Sequence, residues 1–599
     1  MGYKDKLLSK TSKSYAYYKN SDKRRDKKEK KLREQILNLK KTYQYDYYYA
    51  DFENILAKFY ISPVVALPFT MEDKRCFSFM DHLAKYLRST LPHKKPLVSV
   101  ICPVYNYQKE VLDIVESVIN QTYTNFELIV VDDASNDNTL DELKLLEDKR
   151  IRVISNETHM GLSYCRNMAL EKAKGEYIFY IDMDNLWYEE YLESMMGAFM
   201  QLEDADAIYS GQLIFKDNYK QLQGIIFGVY NKSLLYNNNY ISLSAFAHKK
   251  SLADEIKFDE TMKTQEDWLF ILNVAKYAKM HSIPIILSRF LNKDKRFNKR
   301  KGVNNAIEDA EIELVHEKVD NNIFKDFSQQ YQLNKKVSII IPSFKLLTDL
   351  EQCIDAILSF NSPFTDIIVV DNNSQDAVRQ YLKKMSDDGK IKYIQNDINY
   401  GFTYAIEQGI DVADEDSDIL LLNNDAILTK GSLEAMQYYA YNIDDAGIIV
   451  PREVLYAGDD RLNTHVPYGN HDYECDVTPS RAHKNMINIP LFFDGEILEL
   501  NFAPFFCTYI KRDVYDQSIG FDSEFGRHYR SDRIFCNFVR HFLKLKLYQI
   551  SDTKVYHKSR KATAKLKESN DSFDIMFVKN QWEPELGEKL GFKKPYWDE

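Results

Sequence analysis

At 599 residues the chain exceeds what one hydrophobic core can organise, and about three to four domains are expected. Charged residues at 28% and hydrophobic ones at 44% describe a globular protein, while a formal net charge of −11 argues against the basic footprint of bulk nucleic-acid binding. Seven scattered cysteines without a Cys-x-x-Cys pair argue against zinc and disulfide frameworks and fit a reducing cytoplasm.

The N-terminus, MGYKDKLLSK, lacks the apolar core of a signal peptide, and no run approaches the ~18 apolar residues of a membrane span. Residues 1–95 read as a helical arm. Its stretch 23–33, KRRDKKEKKLR, is strongly basic, and Leu32, Ile36, Leu39 and Tyr43 then recur at helical spacing. The plainer reading is a solvated helix packed on the next domain. The sharper one is a helix that rests on anionic lipid at the inner face of a membrane. Pro92 and Pro96 mark the end of the arm.

A first unit, 96–330, alternates strands with helices. Leu97–Cys102 is a buried strand stopped by Pro103, Asp113–Gln121 a helix, Phe126–Val131 a strand ending in Asp132-Asp133 and the turn ASNDNT. Ile151–Ser155 is a third strand, Gly161–Lys174 a helix, and Tyr177–Ile181 a fourth strand. The alternation predicts a mostly parallel sheet whose strand ends line up Tyr105, Asp132, Asp182 and Asp184 along one ligand-binding edge.

Each of these side chains has a use at a nucleotide site. Two carboxylates one residue apart, Asp182 and Asp184, offer hard oxygens to Mg²⁺ or Mn²⁺ carrying a diphosphate. Taken alone, the same pair is more often a solvated strand end or helix cap. Tyr105 can stack on a base, Asp132 can accept from a base N–H or a ribose hydroxyl, and Arg166 can bridge phosphate or the acidic pair. A turn cap for Asp132 and a structural ion pair for Arg166 are the ordinary alternatives.

VSVICPVYN, LIVVDDASNDNT and GLSYCRNMALEKAKGEYIFYIDMDN, in this order and spacing, resemble the N-terminal half of family-two glycosyltransferases of GT-A fold. The resemblance covers roughly residues 97–300. It implies a nucleotide-sugar donor, a divalent cation at the Asp-x-Asp pair and inversion at the anomeric carbon. It carries Pro103, Tyr105, Asp132, Arg166 and Asp182 to donor binding, and Asp182 and Asp184 to the metal. TQEDWLF, Thr264–Phe270, matches the family's Glu-Asp-aromatic opening of a helix beneath the acceptor. Inversion needs a base opposite the leaving nucleotide, and Asp267 is the choice, with Glu266 and Trp268 on the acceptor side. The basic stretch with Arg296, Lys299, Arg300 and Lys301 is expected to close on the diphosphate.

The blocks return in a second unit, 331–565. VSVICPVYN reappears as VSIIIPSFK, LIVVDDAS as IIVVDNNS, and YIFYIDMDN as ILLLNNDAI. This places Pro342 on Pro103, Asp371 on Asp132, Gly401 on Gly161, Asn423 on Asp182 and Asp425 on Asp184. NYGF with LLNND resembles the rhamnosyltransferase-like branch of the family, which implies a deoxythymidine-diphosphate sugar. By the same resemblance Pro342, Asp371, Gly401 and Asn423 face the donor, Asp425 and His557 the metal, and Asp532 is the second candidate base. Arg166 has no counterpart, since Ile406 or Glu407 stands there, and Ser531 replaces the usual Glu before Asp532. An insertion near 451–502 with Arg461, His465, His471 and His483 is expected over the acceptor, and 566–599 as a helical tail.

The expected fold is therefore α/β, two tandem Rossmann-like GT-A domains after a helical arm. The expected protein is cytoplasmic and builds a capsule or lipopolysaccharide polymer from UDP- or dTDP-sugars on an oligosaccharide or lipid-linked acceptor. Its rivals are one working domain beside a glycan-binding one, a nucleotidyltransferase and a nonenzymatic lectin.

Overall fold

The computed structural model describes residue 59 and residues 63–92, 95–292, 314–319, 327–360, 362–455, 487–488, 493–500, 503, 505–518, 520–521, 532, 535–536 and 538–557. The readings made on 1–58, on Arg296, Lys299, Arg300 and Lys301, on Arg461, His465, His471 and His483, on Ser531 and on the tail lie outside these residues. The chain divides into two compact units, Met1–Ile323 with Ile489–Gly495, and Phe324–Asn488 with Glu496–Glu599.

The first unit holds β1 (Val64–Ala66), β2 (Val98–Val104), β3 (Phe126–Asp132), β4 (Ile151–Ser155), β5 (Tyr177–Tyr180), β6 (Asn185–Trp187), β7 (Ala207–Lys216), β8 (Gln221–Ile226), β9 (Phe246–Lys249) and β10 (Met280–Leu291). They form one sheet in the order β1-β8-β7-β9-β5-β2-β3-β4, with β10 on β7 and β6 on β10. β5, β2, β3 and β4 run parallel, and every residue of β2 is buried, as helices on both faces of a parallel sheet require. β9 then pairs antiparallel to both β5 and β7, so the sheet is mixed rather than mostly parallel.

The described part of 1–95 is built into this unit. β1 is an edge strand on β8. The helix Met71–Ser89 starts at a capping box, in which the Thr70 hydroxyl accepts from the Asp73 N–H and the Asp73 carboxylate accepts from the Thr70 N–H.

The second unit holds β11 (Val337–Ser343), β12 (Thr365–Asp371), β13 (Lys392–Gln395), β14 (Asp418–Leu422), β15 (Ala426–Leu428), β16 (Ala446–Leu455), β17 (Ile487–Asn488), β18 (Ile497–Leu500), β19 (Cys507–Ile510) and β20 (Lys546–His557). Its order is β13-β12-β11-β14-β19-β16-β20-β18-β17, with β15 on β20. The run β4-β3-β2-β5-β9-β7-β10 of the first sheet is thus repeated as β13-β12-β11-β14-β19-β16-β20, and the short strand after the Asp-x-Asp position lies on the last member in both. Directions match as well: β10 is parallel to β7 and β20 to β16. The two units are tandem copies of one GT-A fold. They differ at the flank, where β8 and β1 extend the first and β18 and β17 the second.

Candidate active site

At the carboxyl edge of the first sheet, the loops after β2 and β3 are laced together. Asn106 N–H donates to Ser135 Oγ (2.9 Å), Asn136 N–H to Asn106 Oδ1 (2.8 Å) and Tyr107 N–H to Thr139 Oγ1 (2.8 Å). The ASNDNT turn is therefore tied to the loop after β2. Asp132 ends β3 fully buried; Ser155 Oγ donates to its Oδ2 (3.1 Å), and its Oδ1 has no hydrogen-bond partner. A buried unpaired carboxylate oxygen is costly unless a ligand donor completes it, which suits a base N–H or ribose hydroxyl. Pro103 lies buried inside β2, in register with Val131, and not on the open rim. Tyr105 packs against His159 with ring centroids 4.1 Å apart and planes tilted by 32°, so a histidine already lies against the ring expected for the base.

Asp133, which the reading of the sequence passed over, clamps the loop after β4. It accepts from Met160 N–H (2.8 Å), Gly161 N–H (2.7 Å) and Asn156 Nδ2 (2.7 Å), and His159 Nδ1 lies 2.8 Å away. Burial alone would raise its carboxyl, but these donors hold it below the ordinary value. Its position beside Asp132 was the only sequence signal. Gly161 then opens the helix Leu162–Lys172 at φ 94°, ψ 164°, and Gly401 opens Phe402–Asp411 at φ 94°, ψ 174°. Such dihedrals are essentially confined to glycine. A Cβ at Gly161 would meet nothing within 4 Å, so Gly161→Ala isolates backbone strain; chemical denaturation is expected to show a loss of about 1–3 kcal/mol.

Arg166, in that helix, is 2% exposed and bridges two acids: Nη2 donates to Asp182 Oδ1 and Nη1 to Glu266 Oε1, both at 2.8 Å. Burial opposes its charge, but the two carboxylates outweigh burial and raise its pKa. Asp182 follows β5 with 26% of its side chain exposed. The Asp184 carboxylate accepts from Asn185 Nδ2 (2.6 Å), and its carbonyl accepts from Leu291 N–H. Glu266 and Asp267 begin the helix Glu266–Tyr277. Asp267 is half-buried, and its Oδ1 accepts from Trp268 N–H (2.7 Å) and from Asn239 Nδ2 (3.4 Å). Burial first and the neighbouring Glu266 second push it up to about 7. Two expectations need correction. Trp268 is 1% exposed with Nε1 donating to Leu235 O (2.7 Å), so its indole fills the core and presents no face to a sugar. Glu266 is buried and bound by Arg166, so it holds the guanidinium rather than an acceptor.

In the second unit Asp371 is fully buried, with Ser374 N–H on Oδ1 (3.0 Å) and Arg379 Nε 3.7 Å from Oδ2. Pro342 is buried in β11, as Pro103 is in β2. Asn372, standing where Asp133 stands, donates to Gly401 O (2.9 Å). Ile406 fills the place of Arg166 and is fully buried, and Glu407 is taken by Tyr515 OH (2.8 Å) and Phe521 N–H. The basic group comes instead from the end of β20. His557 Nε2 lies 3.1 Å from Asp425 Oδ1 and 3.3 Å from Asn423 Nδ2, and Nδ1 is hydrogen-bonded to Glu453 Oε1. Burial works against protonation, but Asp425 and Glu453 raise this histidine to about 10. Asp532 is helical and half-buried.

Among the described residues no group of three or more His, Cys, Asp or Glu is disposed as a metal cluster. The donor chemistry nonetheless suits a divalent cation. Asp182 and Asp184 supply carboxylate oxygens at a strand end, and Asn423, Asp425 and His557 supply amide, carboxylate and imidazole within one hydrogen-bonded group.

The Glycosyl transferase family 2 profile matches residues 99–257 and again 338–518, together more than half of the chain. The chain belongs to glycosyl transferase family 2. Among similar proteins, the UDP-Glc:alpha-D-GlcNAc-diphosphoundecaprenol beta-1,3-glucosyltransferase WfaP of Escherichia coli is 39% identical over 121 residues, 20% of this chain and 48% of WfaP. An uncharacterized glycosyltransferase of Rickettsia felis is 24% identical over 388 residues, 57% of this chain and 63% of its own. The chain therefore spans about half of the first and under two thirds of the second. A solved structure of S. aureus TarS 1–349 with UDP-GlcNAc is 22% identical, with a TM-score of 0.30, covering 38% of this chain and 67% of that one. No described helix is long and apolar enough to cross a membrane.

Proposed function

We propose that this family 2 protein transfers sugars from nucleoside-diphosphate donors, with inversion, to a growing bacterial surface polysaccharide. The observation that carries the reading is the chain Asp182–Arg166–Glu266, which ties the strand-end acid to the helix whose next residue is Asp267. Asp132 would receive the nucleoside through its unpartnered oxygen. Asp267 would take the proton of the attacking hydroxyl as the acceptor oxygen bonds to the anomeric carbon; the bond from that carbon to the diphosphate breaks, and its electron pair leaves with the diphosphate. A divalent cation held by Asp182 and Asp184, or by Asn423, Asp425 and His557, would neutralise the charge gathering on the diphosphate. Relatives such as WfaP, named for a UDP-glucose donor and a diphosphoundecaprenol-linked acceptor, support a lipid-linked acceptor here. The basic segment 23–33 would suit an anionic membrane surface.

Two active sites on one chain would raise the local concentration of the first product at the second site. A second reading is favoured by the buried Ile406 in place of Arg166: the second unit would bind glycan without transferring. Asp184→Ala and Asp425→Ala, assayed separately for released nucleoside diphosphate against a panel of sugar donors, decide between the two. Two activities require each variant to lose a different transfer. Loss confined to Asp184→Ala leaves one catalytic unit, and no donor turnover by the unmodified chain rejects the reading altogether.

A further inference from the structure

The two copies differ at a pair of adjacent positions that face the short strand after the acidic motif. In the second unit His557 stands across from Ala426, the residue after Asp425. In the first, Phe290 stands across from Asn185, the residue after Asp184. The neighbouring strand changes in step. Leu455 is in register with His557 and Glu453 lies two residues before it; Ile214 is in register with Phe290 and Gln212 lies two residues before that. Gln212 donates to Asn185 Oδ1 (2.8 Å), whereas Glu453, 4% exposed, bonds the imidazole Nδ1. Glu–His in one unit has become Gln–Phe in the other. The Phe506 ring stacks on His557 with centroids 5.3 Å apart and planes at 21°, which limits rotation of the imidazole.

We propose that Glu453 is a positioning residue peculiar to the second unit, fixing His557 so that Nε2 is the nitrogen offered beside Asp425 and Asn423. An imidazole held through its other nitrogen by a buried carboxylate is a more basic and better oriented ligand. The first unit has oxygen donors only, so the second site favours Mn²⁺ over Mg²⁺ more strongly than the first, because Mg²⁺ prefers an all-oxygen shell. The inference rests on the reading of Asp425 and His557 as cation ligands.

The test is Mn²⁺ binding to the full chain, followed by electron paramagnetic resonance of free Mn²⁺, with Asp184→Ala present to disable the first site. Mg²⁺ competition is measured in parallel. Glu453→Gln is expected to weaken Mn²⁺ binding about 10–100-fold while changing Mg²⁺ binding much less. Added to His557→Ala, it is expected to cause no further loss. Equal loss of both cations marks a merely structural role and overturns the inference, as does unchanged Mn²⁺ binding. Full Mn²⁺ binding by His557→Ala instead overturns the ligand reading on which it rests.

Discussion

Asp267→Asn is expected to lower kcat for the first unit's transfer by about 10²–10⁴-fold, the ordinary contribution of a positioned general base, with donor binding little changed. The amide keeps the shape and the hydrogen bond from Trp268 N–H but cannot accept the hydroxyl proton. The pH profile carries the same information. A base raised to about 7 is protonated below that pH, so kcat/KM should fall on the acid side of about 7 and level off above it. Glu266 is the largest charged contributor to the raised value, after burial. Glu266→Gln should therefore move the acid limb to lower pH. A limb that stays in place in Asp267→Asn would show that another group takes the proton.

Arg166→Leu is expected to be the most destabilising single change in the first unit. It removes the one guanidinium that joins Asp182 and Glu266 and leaves two acids facing an apolar side chain. Breaking a buried pair in this way typically costs about 3–5 kcal/mol; with Asp182 partly open to water, about 3 kcal/mol is the expected figure here. Denaturant titration of the full chain should show the first unit's transition move while the second stays. Arg166→Lys should recover only part of the loss, because an ammonium cannot hold two carboxylates in a planar fork.

Much of this arrangement could be read from residues alone because it is local. Short apolar runs, stopped by Pro103 in β2 and by carboxylates after β3 and β5, make β2, β3, β4 and β5 legible to within two residues, and the repeated blocks reveal the second copy. What escaped depends on contacts distant in sequence. Glu453 meets His557 across 104 positions, and nothing around VPREVL marks it. The burial of Trp268 follows from how its helix sits against Leu235, whereas an aromatic beside two acids reads equally well as a sugar platform. Asp133 is overshadowed by Asp132 because it stands just past the end of β3, and only the loop 156–161 shows what it holds. β9, antiparallel to both of its neighbours, interrupts the parallel order that made β2 to β5 visible.

The lacing of Asn106 to Ser135 and Asn136, and of Tyr107 to Thr139, has a consequence for selectivity. Were a donor to bind against these two loops, their backbone N–H groups would already be fastened to each other's side chains, so little ordering entropy would be lost there on binding. Discrimination among heterocycles would then come from refusal, with a mismatched ring meeting fixed walls and an unanswered Asp132 oxygen rather than a surface that reshapes around it.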